Sequence, residues 1–217
     1  MKLGLMGGTF DPIHFGHLRC AQEVAEMFGM GSVLFIPSAR PPLKPAGAVS
    51  DFDDRLRMVG LAVAGNPLFA ASDVEKQREG PSYSVDTVRR ILAGPGKHAS
   101  RAGIFFILGM DAFHDIQKWK DWKDLLVLCN FVVMTRPGHE NGSLIPSLPA
   151  DYAARYTYRN DIDACTHPAG TSIFFRAVTI LDISSTHVRR LVRKGRSIRY
   201  LVPDPVREYI EHKGLYK

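Results

Sequence analysis

The chain has 217 residues, 45% of them hydrophobic and 23% charged, which is the composition of a water-soluble globular protein with apolar material for one core-bearing domain and at most a small appendage. The net charge of +6 suits a polyanionic ligand, but no basic tail and no interleaving of aromatic with basic residues is present, which argues against nucleic acid as the main partner. There is no run of about 18 apolar residues, so no membrane-spanning helix and no membrane partner are expected. The three cysteines, Cys20, Cys129 and Cys165, have neither a metal-ligand spacing nor a disulfide pattern. The chain enters an apolar run almost at once, so no leader is expected, and a reducing cytoplasm is the expected location.

Strand and helix signals alternate along the chain. Leu3-Gly4-Leu5-Met6 predicts a buried strand, and Leu18, Ala21, Val24, Ala25 and Phe28 have helical spacing. Ser32 to Pro37 predicts a second strand, and residues 38–50, with Pro41, Pro42, Pro45 and Gly47, predict a mobile loop. Ser50 or Asp51 is placed to cap a helix carrying Leu56, Val59, Ala62 and Val63. Leu68 to Ser72 is a weaker strand, and Ser84 is expected to cap a helix with Val85, Val88, Ile91 and Leu92. Ile104 to Leu108 is uniformly apolar, as a central parallel strand is. Phe131 to Thr135 and Ile173 to Val178 predict two more strands. Between them, residues 137–170 predict a surface insertion with a short helix near Asp151 to Tyr156. From Ser184 onward two helices are expected, split by Gly195 and by Pro203-Asp204-Pro205. Alternation of this kind implies an α/β fold with a parallel sheet and right-handed crossovers. Ligands then bind beyond the carboxyl ends of the strands, where the winding reverses. If the first strand and Ile104 to Leu108 are neighbours, the loops that follow them share one crevice.

The loop after the first strand carries the chemistry. Gly7-Gly8-Thr9-Phe10-Asp11-Pro12-Ile13-His14-Phe15-Gly16-His17 joins a strand to a helix, and a helix start attracts anions through free N–H groups and the macrodipole. Gly7 and Gly8 are expected to let the backbone turn and approach a ligand, while Thr9 and Phe10 offer main-chain donors. Asp11 is expected to cap the turn, Pro12 to stiffen it, and Gly16 to leave space for a nucleotide between His14 and His17. The two imidazoles lie at the helix start with no cysteine or acidic cluster nearby, so a polyphosphate is expected and no protein-held metal. Neither a dinucleotide-binding glycine fingerprint nor a P-loop is present.

Gly8 to His17 resembles the H-x-G-H signature of the nucleotidyltransferase superfamily, and Ile183-Ser184-Ser185-Thr186-His187-Val188-Arg189 resembles its I-S-S-T-x-x-R signature. Further blocks resemble bacterial nicotinate-nucleotide adenylyltransferases: Phe35-Ile36-Pro37 with Pro41-Pro42-Leu43-Lys44, Glu75 through Thr87, Leu108 to Asp111, Trp119, Arg136-Pro137-Gly138, and Tyr200 to Pro203 with Val206 and Tyr209-Ile210. The resemblance covers essentially the whole chain and is poorest over 139–170. Two positions depart from the family pattern: Leu43 stands where His is usual, and Ser84 where Thr is usual.

The resemblance implies a Rossmann-like doubly wound sheet of nucleotidyltransferase type over residues 1–183, with a small helical C-terminal subdomain over 184–217. It implies adenylyl transfer from ATP to nicotinate mononucleotide, with Mg²⁺ arriving on ATP. ATP would be held by Gly8, Thr9, Phe10, His14, His17, Gly109, Asp111, Ile183, Ser184, Ser185, Thr186 and Arg189. The mononucleotide would be held by Thr9, Lys44, Tyr83, Ser84, Trp119 and the main chain of Lys120, with Trp119 stacked on the pyridine ring; Trp122 is the alternative aromatic. His14, His17, Lys44 and Arg189 would be the catalytic set. A nicotinamide mononucleotide or phosphopantetheine acceptor, a non-catalytic nucleotide-binding protein, and a homo-oligomer stay open.

Overall fold

A computed structural model describes residues 1–42, 44–45, 47–94, 100–136 and 147–217. Leu43, His98, His139 and Pro137-Gly138 lie outside the described residues. In chain order the elements are β1 (Leu3–Gly8), α1 (Phe15–Phe28), β2 (Ser32–Pro37), α2 (Phe52–Val63), β3 (Phe69–Ala71), α3 (Ser84–Ala93), β4 (Ile104–Gly109), α4 (Met110–His114), α5 (Trp122–Leu128), β5 (Asn130–Thr135), α6 (Ala150–Ala153), β6 (Thr157–Arg159), β7 (Ala164–Thr166), β8 (Ser172–Ala177), α7 (Ser185–Arg193) and α8 (Asp204–Lys213).

The strands form one sheet in the order β3-β2-β1-β4-β5-β8-β7-β6. Strands β1 to β5 and β8 are parallel. β1 pairs with β2 on one side and β4 on the other, so the chain's winding reverses between β1 and β4. The loops after β1 and β4 therefore open on one crevice, as the sequence pattern anticipates. The insertion differs from expectation. It contributes the hairpin β6–β7, which adds antiparallel to β8 and extends the sheet. All three residues of β6 are exposed, so no hydrophobic alternation marks it in the sequence.

Each sheet face has its own core. On one, Met6, Val33 and Ile107 pack against Ala21 and Val24 of α1, Met58 of α2, Val188 of α7 and Val206 and Ile210 of α8. On the other, Leu5, Ile36, Phe106 and Val133 pack against Val85 of α3, Phe113 of α4, Leu125 of α5 and Tyr152 of α6. The central strands are apolar on both sides because helices cover both. Cys20, Cys129 and Cys165 are buried within these cores. Among the described residues no helix is long and apolar enough to cross a membrane.

Local signals explain the element ends. Gly29 ends α1 at φ 56° and returns its N–H to the carbonyls of Ala25 and Glu26, a left-handed cap that a side chain would strain. Asp51 caps α2 by accepting from the Asp53 N–H at 2.8 Å. Ser84 is not the cap of α3: Tyr83 holds the extended cap position and Ser84 is the first helical residue. Gly4 lies mid-strand where a Cβ would meet Met30 Sδ at 2.8 Å, Val33 Cγ2 at 3.0 Å and Ile107 Cδ1 at 3.1 Å. Gly4→Ala is therefore expected to lose about 1–3 kcal/mol of stability by overpacking, read as a lower urea midpoint with an unchanged slope.

Candidate active site

The loop between β1 and α1 is shaped by side chains more than by its glycines. Neither Gly7 nor Gly8 has a positive φ; the left-handed residue is Phe10, at φ 49°. Gly8 is small because the Phe10 ring lies on it, 3.1–3.3 Å from where a Cβ would be. Phe10 then meets His17 edge-on at 5.0 Å. Gly16 has a similar reason that differs from the expected one. Its missing Cβ leaves room for the His14 imidazole, whose Nδ1 and Cε1 would be 3.0 and 3.1 Å away.

His14 is the N-cap of α1, and its main-chain N–H donates to His17 Nδ1 at 3.2 Å. The two rings stack with centroids 3.7 Å apart. Because His17 Nδ1 accepts, a neutral His17 carries its proton on Nε2 and presents a donor there. Burial lowers His14 from the ordinary 6.5 to about 4. Burial, and then the charge of His14, lower His17 to about 3. Both imidazoles are thus neutral donors at neutral pH. An anion placed against them favours protonation.

Three segments remote in sequence hold this loop from behind. Arg55 of α2, 2% exposed, donates to the Thr9 carbonyl at 2.8 Å and to the Ser50 carbonyl at 2.9 Å. Arg189 of α7 donates to the Asp11 carbonyl at 2.6 Å, and Ser185 Oγ donates to the Pro12 carbonyl at 2.8 Å. Asp11 does not cap its own turn. It is 3% exposed, and its carboxylate accepts from the Tyr216 hydroxyl at 2.7 Å and from the Ser50 N–H at 3.3 Å. Sequence reasoning missed Arg55 and Tyr216, since neither belongs to a local motif.

The segment leading into α7 is fixed to α1. Buried Glu23 accepts the Thr179 N–H at 2.7 Å and the Arg19 side chain at 2.5 Å. Ser184 caps α7, accepting from the His187 N–H at 3.2 Å, and Thr186 Oγ1 accepts from Arg189 at 3.3 Å. Ser184 and Ser185 thus have their hydroxyls in structural bonds. Ile183 joins the core beside α1.

Thr9, Phe10, His17, Lys44, Ser185, Thr186 and Arg189 surround one cavity of about 240 Å³, with Asp11, Ala48 and Val49 completing its wall. His14 stacks beside this wall and Gly8 leads into it. Gly109 and Asp111 sit apart from it, at the end of β4. A Cβ on Gly109 would meet nothing within 4 Å, and the Asp111 side chain is exposed, so this edge opens to a ligand.

The other predicted residues assemble on the opposite face. Trp119 is half-buried and meets Phe106 edge-on at 6.0 Å. Lys120 Nζ lies 4.9 Å over the Tyr83 ring and 3.2 Å from Asp86. Burial alone would raise the Asp86 carboxyl, but Lys120 and Arg78, bonded at 3.2 and 2.6 Å, hold it below its ordinary value. Ser84, as the first residue of α3, has an N–H with no intrahelical acceptor, whereas the Tyr83 N–H donates to Pro81. Trp122 instead packs edge-on against Tyr152 at 4.8 Å.

Residues 5–191 match the family model described as cytidylyltransferase-like. Over 218 residues the chain is 45% identical to the probable nicotinate-nucleotide adenylyltransferase of Geotalea uraniireducens, covering 100% of this chain and 98% of that one. It is equally 45% identical, over 217 residues, to the protein of the same name from Geobacter sulfurreducens, with the same coverage. The chain belongs to the nicotinate-nucleotide adenylyltransferases of the cytidylyltransferase-like family. The structure titled Plasmodium falciparum nicotinic acid mononucleotide adenylyltransferase complexed with NaAD has the same fold, with a TM-score of 0.70 at 18% identity over 99% of this chain and 97% of that one.

The buried histidines have a consequence for stability in this family member. The unfolded chain takes up their protons near 6.5, while the folded chain resists until about 4 and about 3. The unfolded state therefore binds more protons between these values, and stability falls as pH drops from 6.5 toward 4. A His14→Gln, His17→Gln double variant is expected to show a shallower fall of melting temperature across that window than the unaltered protein.

Proposed function

We propose that this protein transfers the adenylyl group of Mg-ATP to nicotinate mononucleotide, releasing pyrophosphate and forming the deamido dinucleotide of NAD biosynthesis. The observation that carries this reading is the single cavity that joins the two signature segments, with His17 from one, Thr186 and Arg189 from the other, and Lys44 between them.

In the reaction an oxygen of the mononucleotide 5′-phosphate attacks the α-phosphorus of ATP in line. The bond from that phosphorus to the bridging oxygen breaks, and its electrons leave with pyrophosphate. The nucleophile is already anionic, so no strong general base is required. Holding the two anions in an attack geometry supplies up to roughly 7–11 kcal/mol of the barrier. His17 Nε2–H and the Thr9 and Phe10 main chain stabilise charge on the α-phosphoryl group. His14 and Lys44 contact the phosphate chain. Arg189, with Thr186 and the start of α7, receives the departing pyrophosphate. Gly109 and Asp111 hold adenosine at the end of β4.

Mg²⁺ is part of the ATP substrate here. Asp11, the carboxylate at the cavity wall, has both oxygens committed to Tyr216 and Ser50, which suits an ion carried by phosphates and not one caged by the protein. On the opposite face Trp119 stacks on the pyridine ring. The Ser84 and Lys120 main-chain N–H groups read the nicotinate carboxylate, favoured by the positive end of α3. Ser84 in place of Thr keeps the N–H and the hydroxyl.

Pyrophosphate release from Mg-ATP is measured with nicotinate mononucleotide, nicotinamide mononucleotide and phosphopantetheine offered separately. Turnover is expected with the nicotinate form in strong preference; turnover with another acceptor alone reassigns the substrate, and none with any overturns the reading. His17→Ala is expected to lower kcat by at least about 10²-fold with an unchanged circular dichroism spectrum. Gly109→Ala tests the adenosine site. Its new methyl group meets nothing within 4 Å, so the melting temperature is expected to hold while the KM for Mg-ATP rises about tenfold or more.

A further inference from the structure

We propose that the C-terminal tail is a positioning element for the ATP side of the site, acting through the hydrogen bond from Tyr216 to Asp11; the proposal rests on the adenylyl-transfer reading above. Tyr216 is 205 residues from Asp11 in the chain, and its hydroxyl donates to Asp11 Oδ1 at 2.7 Å. It holds φ at 66°, a conformation rare for an aromatic residue that persists only where surrounding contacts impose it. Asp11 is 3% exposed, so its carboxylate depends on donors from the protein.

Asp11 is a hub for four pieces of chain. Oδ1 takes the tail hydroxyl, and Oδ2 takes the Ser50 N–H at 3.3 Å, where the segment carrying Lys44 meets α2. The carbonyl takes Arg189 at 2.6 Å, and the residue itself belongs to the loop that presents Phe10 and His17. Arg189 also lies 3.8 Å from Oδ2. Burial, with the Asp11 charge second, pushes the Tyr216 hydroxyl far above its ordinary range, so it remains a donor at every working pH. Removing that hydroxyl leaves one buried carboxylate oxygen without a donor. Arg55 is held by the Thr9 and Ser50 carbonyls, whereas Arg189, 3.8 Å from Oδ2, and the Ser50 segment, already bonded to it, can shift toward the carboxylate, and either shift moves a group that serves the polyphosphate cavity.

A second tail contact supplies the control. Tyr209 of α8 donates to Asp54 of α2 at 2.7 Å, the same tyrosine-to-carboxylate bond from the C-terminal region, but to α2 and not to the loop after β1. The variants Tyr216→Phe and Tyr209→Phe are compared at a temperature where circular dichroism shows both folded. For Tyr216→Phe the KM for Mg-ATP is expected to rise about tenfold or more, the scale of a lost hydrogen bond to a charged group, with the KM for the mononucleotide within about twofold. Tyr209→Phe is expected to change neither. In an Asp11→Ala background, Tyr216→Phe is expected to add less than about twofold, because the partner is gone. Calorimetric titration of Mg-ATP onto the free protein gives a readout independent of turnover. Weakened binding in Tyr216→Phe alone sustains the clamp even if no acceptor supports pyrophosphate release. Unchanged Mg-ATP binding and KM in folded Tyr216→Phe, or an equal loss in Tyr209→Phe, overturns it.

Discussion

The site depends on where the carbonyls of the loop after β1 point. A trans peptide unit directs its N–H opposite to its C=O. Arg55 holds the Thr9 carbonyl from the buried side at 2.8 Å, so the following N–H, that of Phe10, turns away from it. Without a buried donor in that place, a carbonyl facing the core would cost about 1–3 kcal/mol and the peptide would flip. Arg55 is in turn the most voluminous of the fully buried side chains among the described residues, and its own guanidinium is stabilised there by Asp11, Asp51 and Glu75 against the larger cost of burial. The loop after β1 is thus the visible edge of a buried charge network.

This network also decides the charge of the cavity. Arg189 brings a permanent positive charge to the wall, and Lys44 brings another from the 38–50 loop. The two histidines contribute donors without charge in the ligand-free protein, because burial keeps both neutral and, for His17, the stacked His14 ring 3.7 Å away adds to that. A cavity built only from fixed cations would repel itself when empty. Neutral imidazoles reduce that cost in the ligand-free protein and can still answer a polyphosphate by hydrogen bonding or by taking a proton.

The sheet and the two signature segments were legible in the sequence because each is written locally. Ser32 to Pro37 is apolar and bounded by turn residues, and it forms a strand with those same limits. The first segment lies at the crossover of the sheet because it follows β1, whereas the second follows β8 beyond β5 and reaches the same cavity through the bonds of Ser185 and Arg189 to the loop. What was not legible depends on contacts across the chain. Ser84 looked like a cap by residue type, but the extended backbone of Tyr83 takes that position. Gly16 looked like space for a ligand, and its reason is the ring of His14 two residues earlier. Arg55, Tyr216 and the buried role of Asp11 have no signature, since a charge in an amphipathic helix and a tyrosine near a chain end are ordinary surface features. Only the fold brings residues 11, 55, 189 and 216 together.

The two glycines at the end of β1 face opposite sides of the sheet. Successive side chains of a strand point to opposite faces. At Gly8 the absent side chain leaves room for Phe10, whose ring meets His17 edge-on on the α1 side. At Gly7 a Cβ would lie 3.7 Å from the Phe106 ring, on the opposite face, where Trp119 meets that ring. The cavity beside His17 and the aromatic cluster around Trp119 therefore flank the end of β1 on its two faces, with the Phe10 ring covering Gly8 on one of them. In the proposed reaction the nucleophilic phosphate approaches from the Trp119 side and the α-phosphorus from the His17 side. A side chain at Gly8 would collide with the Phe10 ring that packs on His17, so the end of β1 stays small where the loops after β1 and β4 open together at the crossover of the sheet.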